Sequence, residues 1–243
     1  MTAAPLSRRA AAELLGTGLL VTVVVGSGIA AETLTTDPGL RLLENALATA
    51  AGLAVLIVVL GPVSGGHFNP VVSAADWLLG RRTGSGLPLS EVVAYGSAQL
   101  IGGIAGAILA NAMYARPPVT WSDHDRSGGA LWLSEVVATA GLLLVILALA
   151  RTRRTALIAW SVGAYIGAAY WFTASTSFAN PAVTVGRAFT DSFAGIAPAS
   201  VPGFVVGQTI GALIGVGIAV ALFPGTDKQA DEVVVPHAER SAA

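Results

Sequence analysis

Six apolar stretches, at about residues 10–31, 42–61, 91–113, 131–150, 155–174 and 201–223, limit what this chain can fold into. A helix needs about 20 mostly apolar residues to cross a hydrocarbon core of roughly 30 Å, and every stretch is close to that length. Of the 243 residues 54% are apolar and only 11% charged, where a soluble domain carries about a quarter charged. The mean hydropathy of +0.72 agrees. A net charge of −1 offers no electrostatic basis for binding nucleic acid. Cysteine is absent, which removes disulfides, thiolate metal sites and cysteine nucleophiles together.

Arg8 and Arg9 precede the first stretch, as in the leader of an exported protein. Glu13, early in that stretch, and the repeat described below favour a retained span. With both termini inside, one side of the membrane holds Arg8, Arg9, Arg81, Arg82, Arg151, Arg153, Arg154, Lys228 and Arg240. The other holds Arg41, Arg116, Arg126 and Arg187, so the positive-inside rule puts both termini in the cytoplasm. Trp77, Trp121, Trp132 and Trp171 fall near span ends, where an aromatic belt belongs, and Trp160 falls inside one.

The chain also repeats itself. Glu13 in span one, His67-Phe68-Asn69-Pro70-Val71 and then Gln99 in span three form the first copy. Glu135 in span four, Phe178-Ala179-Asn180-Pro181-Ala182 and then Gln208 in span six form the second. Gln99 follows Asn69 by 30 residues, and Gln208 follows Asn180 by 28. Three spans per copy is an odd number, so the second copy lies inverted, and inverted repeats meet near the midplane. Residues 69–79 and 180–190 are apolar but too short to cross. Eleven helical residues measure about 16 Å, so two such pieces end to end would cross once. Asparagine caps a helix and proline suits its first position, so each Asn-Pro reads as a helix start entered from opposite sides. The irregular approaches at Gly65-Gly66 and Ser175-Thr176-Ser177 are tolerated at that depth only if enclosed by protein or lining water.

At these residues the chain resembles the aquaporin or major intrinsic protein family over nearly its whole length. Ser64 to Ser73 is similar to that family's first Asn-Pro-Ala motif, with Val71 replacing alanine, and Ser177 to Thr184 is similar to the second. The wording around 24–30, 60–70 and 170–183 is closest to an aquaglyceroporin-like bacterial branch associated with arsenic-resistance operons. The resemblance implies an all-α membrane protein of six transmembrane helices and two re-entrant half-helices, assembled as a homotetramer in the cell membrane. It implies one channel domain, 1–223, with inverted repeats at about 8–118 and 128–223, and a polar, disordered cytoplasmic tail at 224–243. It also implies a narrow filter at Thr49, Ala168, Ser177 and Val183, by counting from the two motif asparagines. Water-selective members place a large aromatic, a histidine and an arginine among those positions. Here all four are small, and the expectation is a wider, less polar constriction that passes glycerol, arsenous acid and similar neutral hydroxides, with water. Bilayer lipid and small neutral solutes are the expected partners, and no cofactor is called for.

Several residues admit two readings. Glu13 and Glu135 could couple transport to protons, since charge inside a span usually marks function. The family uses them to hold the re-entrant loops. His67 could sense pH at the cytoplasmic mouth or make a loop hydrogen bond. Arg187, four residues beyond Val183, could line the outer vestibule, pair with Asp191, or bond loop carbonyls. Asp123-His124-Asp125 could hold a metal weakly, but reads better as a solvated outer loop. Gly102, Gly103, Gly106, Gly211, Gly215 and Gly217 suit close helix packing. A passive channel, a proton-coupled transporter and an intramembrane enzyme are the three classes weighed. The last lacks paired acids, a Ser-His arrangement or a metal set at the expected centre.

Overall fold

A computed structural model of the chain describes residues 4–81 and 85–223. The expectations for Arg82, Lys228, Arg240 and the tail at 224–243 fall outside these. Among the described residues the secondary structure is helical: α1 (Leu6–Leu34), α2 (Pro38–Ser64), α3 (Pro70–Gly80), α4 (Leu89–Met113), α5 (Gly129–Arg151), α6 (Ile158–Phe172), α7 (Pro181–Arg187) and α8 (Val201–Leu222). Short 3-10 turns, Thr155–Leu157 and Pro198–Ser200, lead into α6 and α8. The six long helices are apolar enough to cross a membrane, whereas α3 and α7 are too short.

α1 and α2 overrun their apolar stretches by three or four residues at each end, whereas α6 and α8 do not overrun theirs. Where breakers occur, they set the boundary. Asp37 accepts a hydrogen bond from Leu40 N at 2.9 Å and Pro38 opens α2, a capped start. Gly65, with φ of 95°, ends the same helix in the left-handed region.

The two halves repeat the same packing. α1 lies along α4 and α5 along α8. Glycine sets both spacings: a Cβ on Gly106 would run into the Gly18 carbonyl, and one on Gly215 into the Ala140 carbonyl. The half-helices cross between halves, α3 touching α8 and α7 touching both α4 and α1. The second half-helix differs from expectation, stopping at Arg187 rather than near residue 190. Its last turn tightens, with Ala188 N bonded to Val185 O and Phe189 N to Gly186 O, and Thr190-Asp191-Ser192 follow. Short polar side chains of this kind compete with the helix for backbone bonds.

The segment between α4 and α5 straps over the end of α7. Ser122 N bonds Ala188 O at 3.2 Å, Ala197 N bonds His124 O at 2.7 Å, and Arg116 pairs with Glu32 at 3.0 Å. Asp125 accepts from Ser127 N and the Ser200 hydroxyl, and the Ser127 and Ser200 bonds hold its carboxyl below the usual carboxylate range. No cluster of three potential metal ligands occurs among the described residues.

Candidate functional site

Glu13 and Glu135 are both fully buried, and each is anchored by donors from its own half. Glu13 accepts from Ser64 Oγ at 2.7 Å, His67 N at 3.0 Å, Phe68 N at 2.6 Å and Gln99 Nε2 at 2.7 Å. Glu135 accepts from Phe178 N at 2.9 Å, Ala179 N at 2.8 Å and Gln208 Nε2 at 2.6 Å. These bonds fasten the two irregular segments before the half-helices. Phe68 and Ala179, each just before a motif asparagine, sit at φ of 48° and 49°. Non-glycine residues enter that left-handed region at a cost of about 1 kcal/mol or more. Here it turns each carbonyl toward the opposite half.

The asparagines then cross-link. Asn69 Nδ2 donates to Ala179 O at 2.8 Å, and Asn180 Nδ2 donates to Phe68 O at 2.7 Å. Each asparagine also caps its helix: Asn69 Oδ1 accepts from Val71 N, and Asn180 Oδ1 accepts from Ala182 N and Val183 N. Pro70 and Pro181 occupy the first helical positions. A side-chain amide has two N–H groups, so one on each asparagine remains for a passing oxygen. Val71 and Ala182 are buried beside them and off the cavity described next.

Both asparagines line an internal cavity of about 50 Å³. At roughly 10–15 Å³ per water by the same measure, that holds about three to five molecules. Its walls are Leu20, Val24, Leu53, Ile57, Leu142, Ile146, Ile158, Val162 and Ile166, broken by the polar groups at the asparagines and by His67. His67 Nδ1 lies 2.9 Å from Ser73 Oγ, and its ring meets Tyr95 edge-on. This marks the end of the conduit nearer the start of α1 and the end of α8, the near mouth.

The far end corrects the sequence reading. Thr49, Ser177 and Val183 line the cavity together, but Ala168 does not: it is exposed on the outside of α6. The α6 residues that face the conduit are Ile158, Val162, Ile166 and Tyr170, four apart, and Ala168 lies about 200° round the helix from Tyr170. The Tyr170 hydroxyl sits 3.2 Å from the Thr49 hydroxyl. The ring therefore contains a large aromatic, where counting from the motif expected only small side chains.

A guanidinium is also present. Arg187 is 2% exposed and lines the same cavity; its Nε donates to Ala194 O and its Cζ stacks 3.4 Å from the centre of the Phe178 ring. Of the alternatives, it makes the loop-carbonyl contact and faces the conduit. The pairing with Asp191 does not form, and Asp191 Oδ1 accepts from Asp123 N at 3.4 Å. Arg126 reaches in from the strap, donating to Gly195 O at 2.8 Å and Phe193 O at 3.2 Å, with its Cζ 5.2 Å from the same ring. Burial pushes its guanidinium below the ordinary arginine value. Tyr170 was legible as the fourth member of a stripe spaced four apart. Phe178 and Arg126 carried no comparable signal, since loop geometry alone brings them in.

Six spanning helices and two half-helices, capped tip to tip beside an enclosed conduit within a single subunit, define a multi-pass membrane channel. The major intrinsic protein family model matches residues 1–173, and the chain belongs to that family. The Aquaglyceroporin AqpS of Rhizobium meliloti (strain 1021) is 53% identical over 208 residues, covering 86% of this chain and 87% of that protein. Aquaporin-2 of Rhizopus delemar is 32% identical, covering 74% of this chain and 63% of that one. The X-ray structure of the aquaglyceroporin from Plasmodium falciparum superposes with a TM-score of 0.71 at 20% identity, covering 92% of this chain and all of that one, and so shares its fold. The protein is a passive channel for water and small neutral solutes and not an enzyme.

Proposed function

We propose that the channel carries small hydroxylated solutes without charge, glycerol and arsenous acid among them, and that water shares the path. The observation that carries this reading is the composition of the far ring. Hydroxyls of Thr49, Tyr170 and Ser177, the guanidinium of Arg187 and the apolar side chains of Val183 and Phe178 line this end together. A polyol or metalloid hydroxide presents oxygens on one side and a less polar body on the other, and such a ring replaces its hydration on both. The name of the Rhizobium meliloti relative supports glycerol. Thr49, Tyr170, Ser177 and Val183 act as the filter in this reading, and Arg187 as the vestibule charge. Asn69-Pro70-Val71 and Asn180-Pro181-Ala182 form the central caps, with Glu13, Glu135 and His67 as loop supports.

Two half-helix N-termini meet at the caps, each with a partial positive charge, and disfavour a cation stripped of water. Proton coupling through Glu13 or Glu135 has no support: neither lines the conduit, and donors engage all four carboxylate oxygens. One channel domain, 1–223, composed of two inverted halves at about 8–118 and 128–223, completes the reading. The near mouth faces the cytoplasm, because Arg8, Arg9, Arg81, Arg151, Arg153 and Arg154 lie on that side. The assembly is a homotetramer in the plasma membrane. Exposed Val55, Val59, Leu133, Trp160 and Leu213 give it apolar faces for lipid and neighbouring subunits. Comparative uptake of water, glycerol and arsenous acid in one reconstituted preparation tests the solute class. All three should enter faster than in empty liposomes; rapid water with glycerol and arsenous acid both excluded would make the pore water-selective.

A further inference from the structure

Arg187 and Arg126 flank the Phe178 ring, and neither meets a carboxylate. The ion pairs among the described residues are Arg9 with Glu91 and Arg116 with Glu32. Arg187 spends Nε on the Ala194 carbonyl, and its two terminal nitrogens find no partner among the described residues. Arg126 bonds only neutral carbonyls through its side chain. A buried Arg187 and a half-buried Arg126 against one ring, without a counter-charge, are costly to desolvate and favour an anion beside them. A second group points the same way: the Ser177 hydroxyl is buried, belongs to a residue lining the same conduit as Arg187, and has no hydrogen-bond partner among the described residues.

We propose that the far mouth binds a small oxyanion, and that the bound anion plugs the conduit against neutral solutes. Arg187 supplies a planar pair of donors that suits two oxygens of one anion, and Ser177 supplies a third donor. Arg126, behind Phe178, adds attraction without contact. The anion goes no further, because the wall beyond is Leu20, Val24, Leu142, Ile146 and Ile166, which offers nothing to replace its hydration. This inference rests on the channel reading and adds a regulatory ligand to it.

The test uses the full chain in proteoliposomes, with glycerol influx followed by light scattering at pH 7. Inorganic phosphate replaces chloride on both sides at matched ionic strength, which separates binding from general screening. Glycerol influx should fall saturably with phosphate. Arg187→Gln should abolish that dependence, whatever its own basal rate. Ser177→Ala, a milder change, should raise the half-inhibiting phosphate concentration about tenfold, as expected for one lost bond to a charged group. Arg126→Gln should raise it by a smaller factor. Rapid glycerol influx that ignores phosphate overturns the inference and leaves the channel reading intact. Unaltered phosphate inhibition in Arg187→Gln, or in Ser177→Ala if the arginine variant does not fold, overturns it as well. Absence of glycerol influx from the unmodified protein defeats the channel reading, and this inference with it.

Discussion

At the residue scale, the two buried glutamates make the sharpest statement, because each holds a segment that cannot otherwise satisfy its backbone. Glu135 accepts three donors and offers none. Glu135→Gln keeps the shape but turns one oxygen into a donor that faces other donors. The expected loss is about 2–4 kcal/mol, the scale of leaving buried polar groups unmatched. Thermal unfolding in detergent measures it, and an unchanged midpoint would contradict the loop-anchoring role. Val183→Arg addresses the filter. It places a second guanidinium in the ring beside Arg187, and should suppress glycerol influx more than water flux in the same liposomes. Equal suppression of both would remove Val183 from the filter. Tyr170→Ala should do the reverse, opening the ring and letting a four-carbon polyol enter faster relative to glycerol. An unchanged ratio of the two polyols would return the filter to small side chains.

At the scale of the elements, helix spacing depends on glycines that let backbones meet. Gly106→Ala forces α1 away from α4 at the Gly18 carbonyl, and should cost about 1–3 kcal/mol, read from the same unfolding experiment. A neutral result would mean that the close approach is not required. The six spans, the two asparagine caps and the Glu–Gln pairs were legible in the chain because lipid imposes length and internal satisfaction on every crossing segment. What could not be read was the chain's path between elements. Counting twelve residues back from Asn180 to Ala168 assumes that residues 173–179 advance uniformly. In fact Thr176, Ser177 and Ala179 take positive φ, so the segment does not advance uniformly, and Tyr170, ten residues before Asn180, lines the conduit instead. The same limit applies to α7, whose early end at Arg187 depends on the Thr190-Asp191-Ser192 turn and on the strap above it. Arg126 enters from that strap, 54 residues before the motif asparagine, with no pattern to announce it.

For the molecule as a whole, the central claim is that a solute passes between Asn69 and Asn180 down its own gradient, with no coupled ion. The pseudo-twofold arrangement of both halves around those caps supports it: matched backbone and glutamine donors to Glu13 and Glu135, reciprocal amide-to-carbonyl bonds, and a conduit that avoids both carboxylates. The most direct test is the initial glycerol influx into proteoliposomes over a wide range of glycerol gradients, with and without an imposed proton gradient. The account predicts a rate proportional to the glycerol gradient, the same at every proton gradient, and no accumulation beyond equilibrium. Influx that follows the proton gradient, or concentrates glycerol inside, would contradict it.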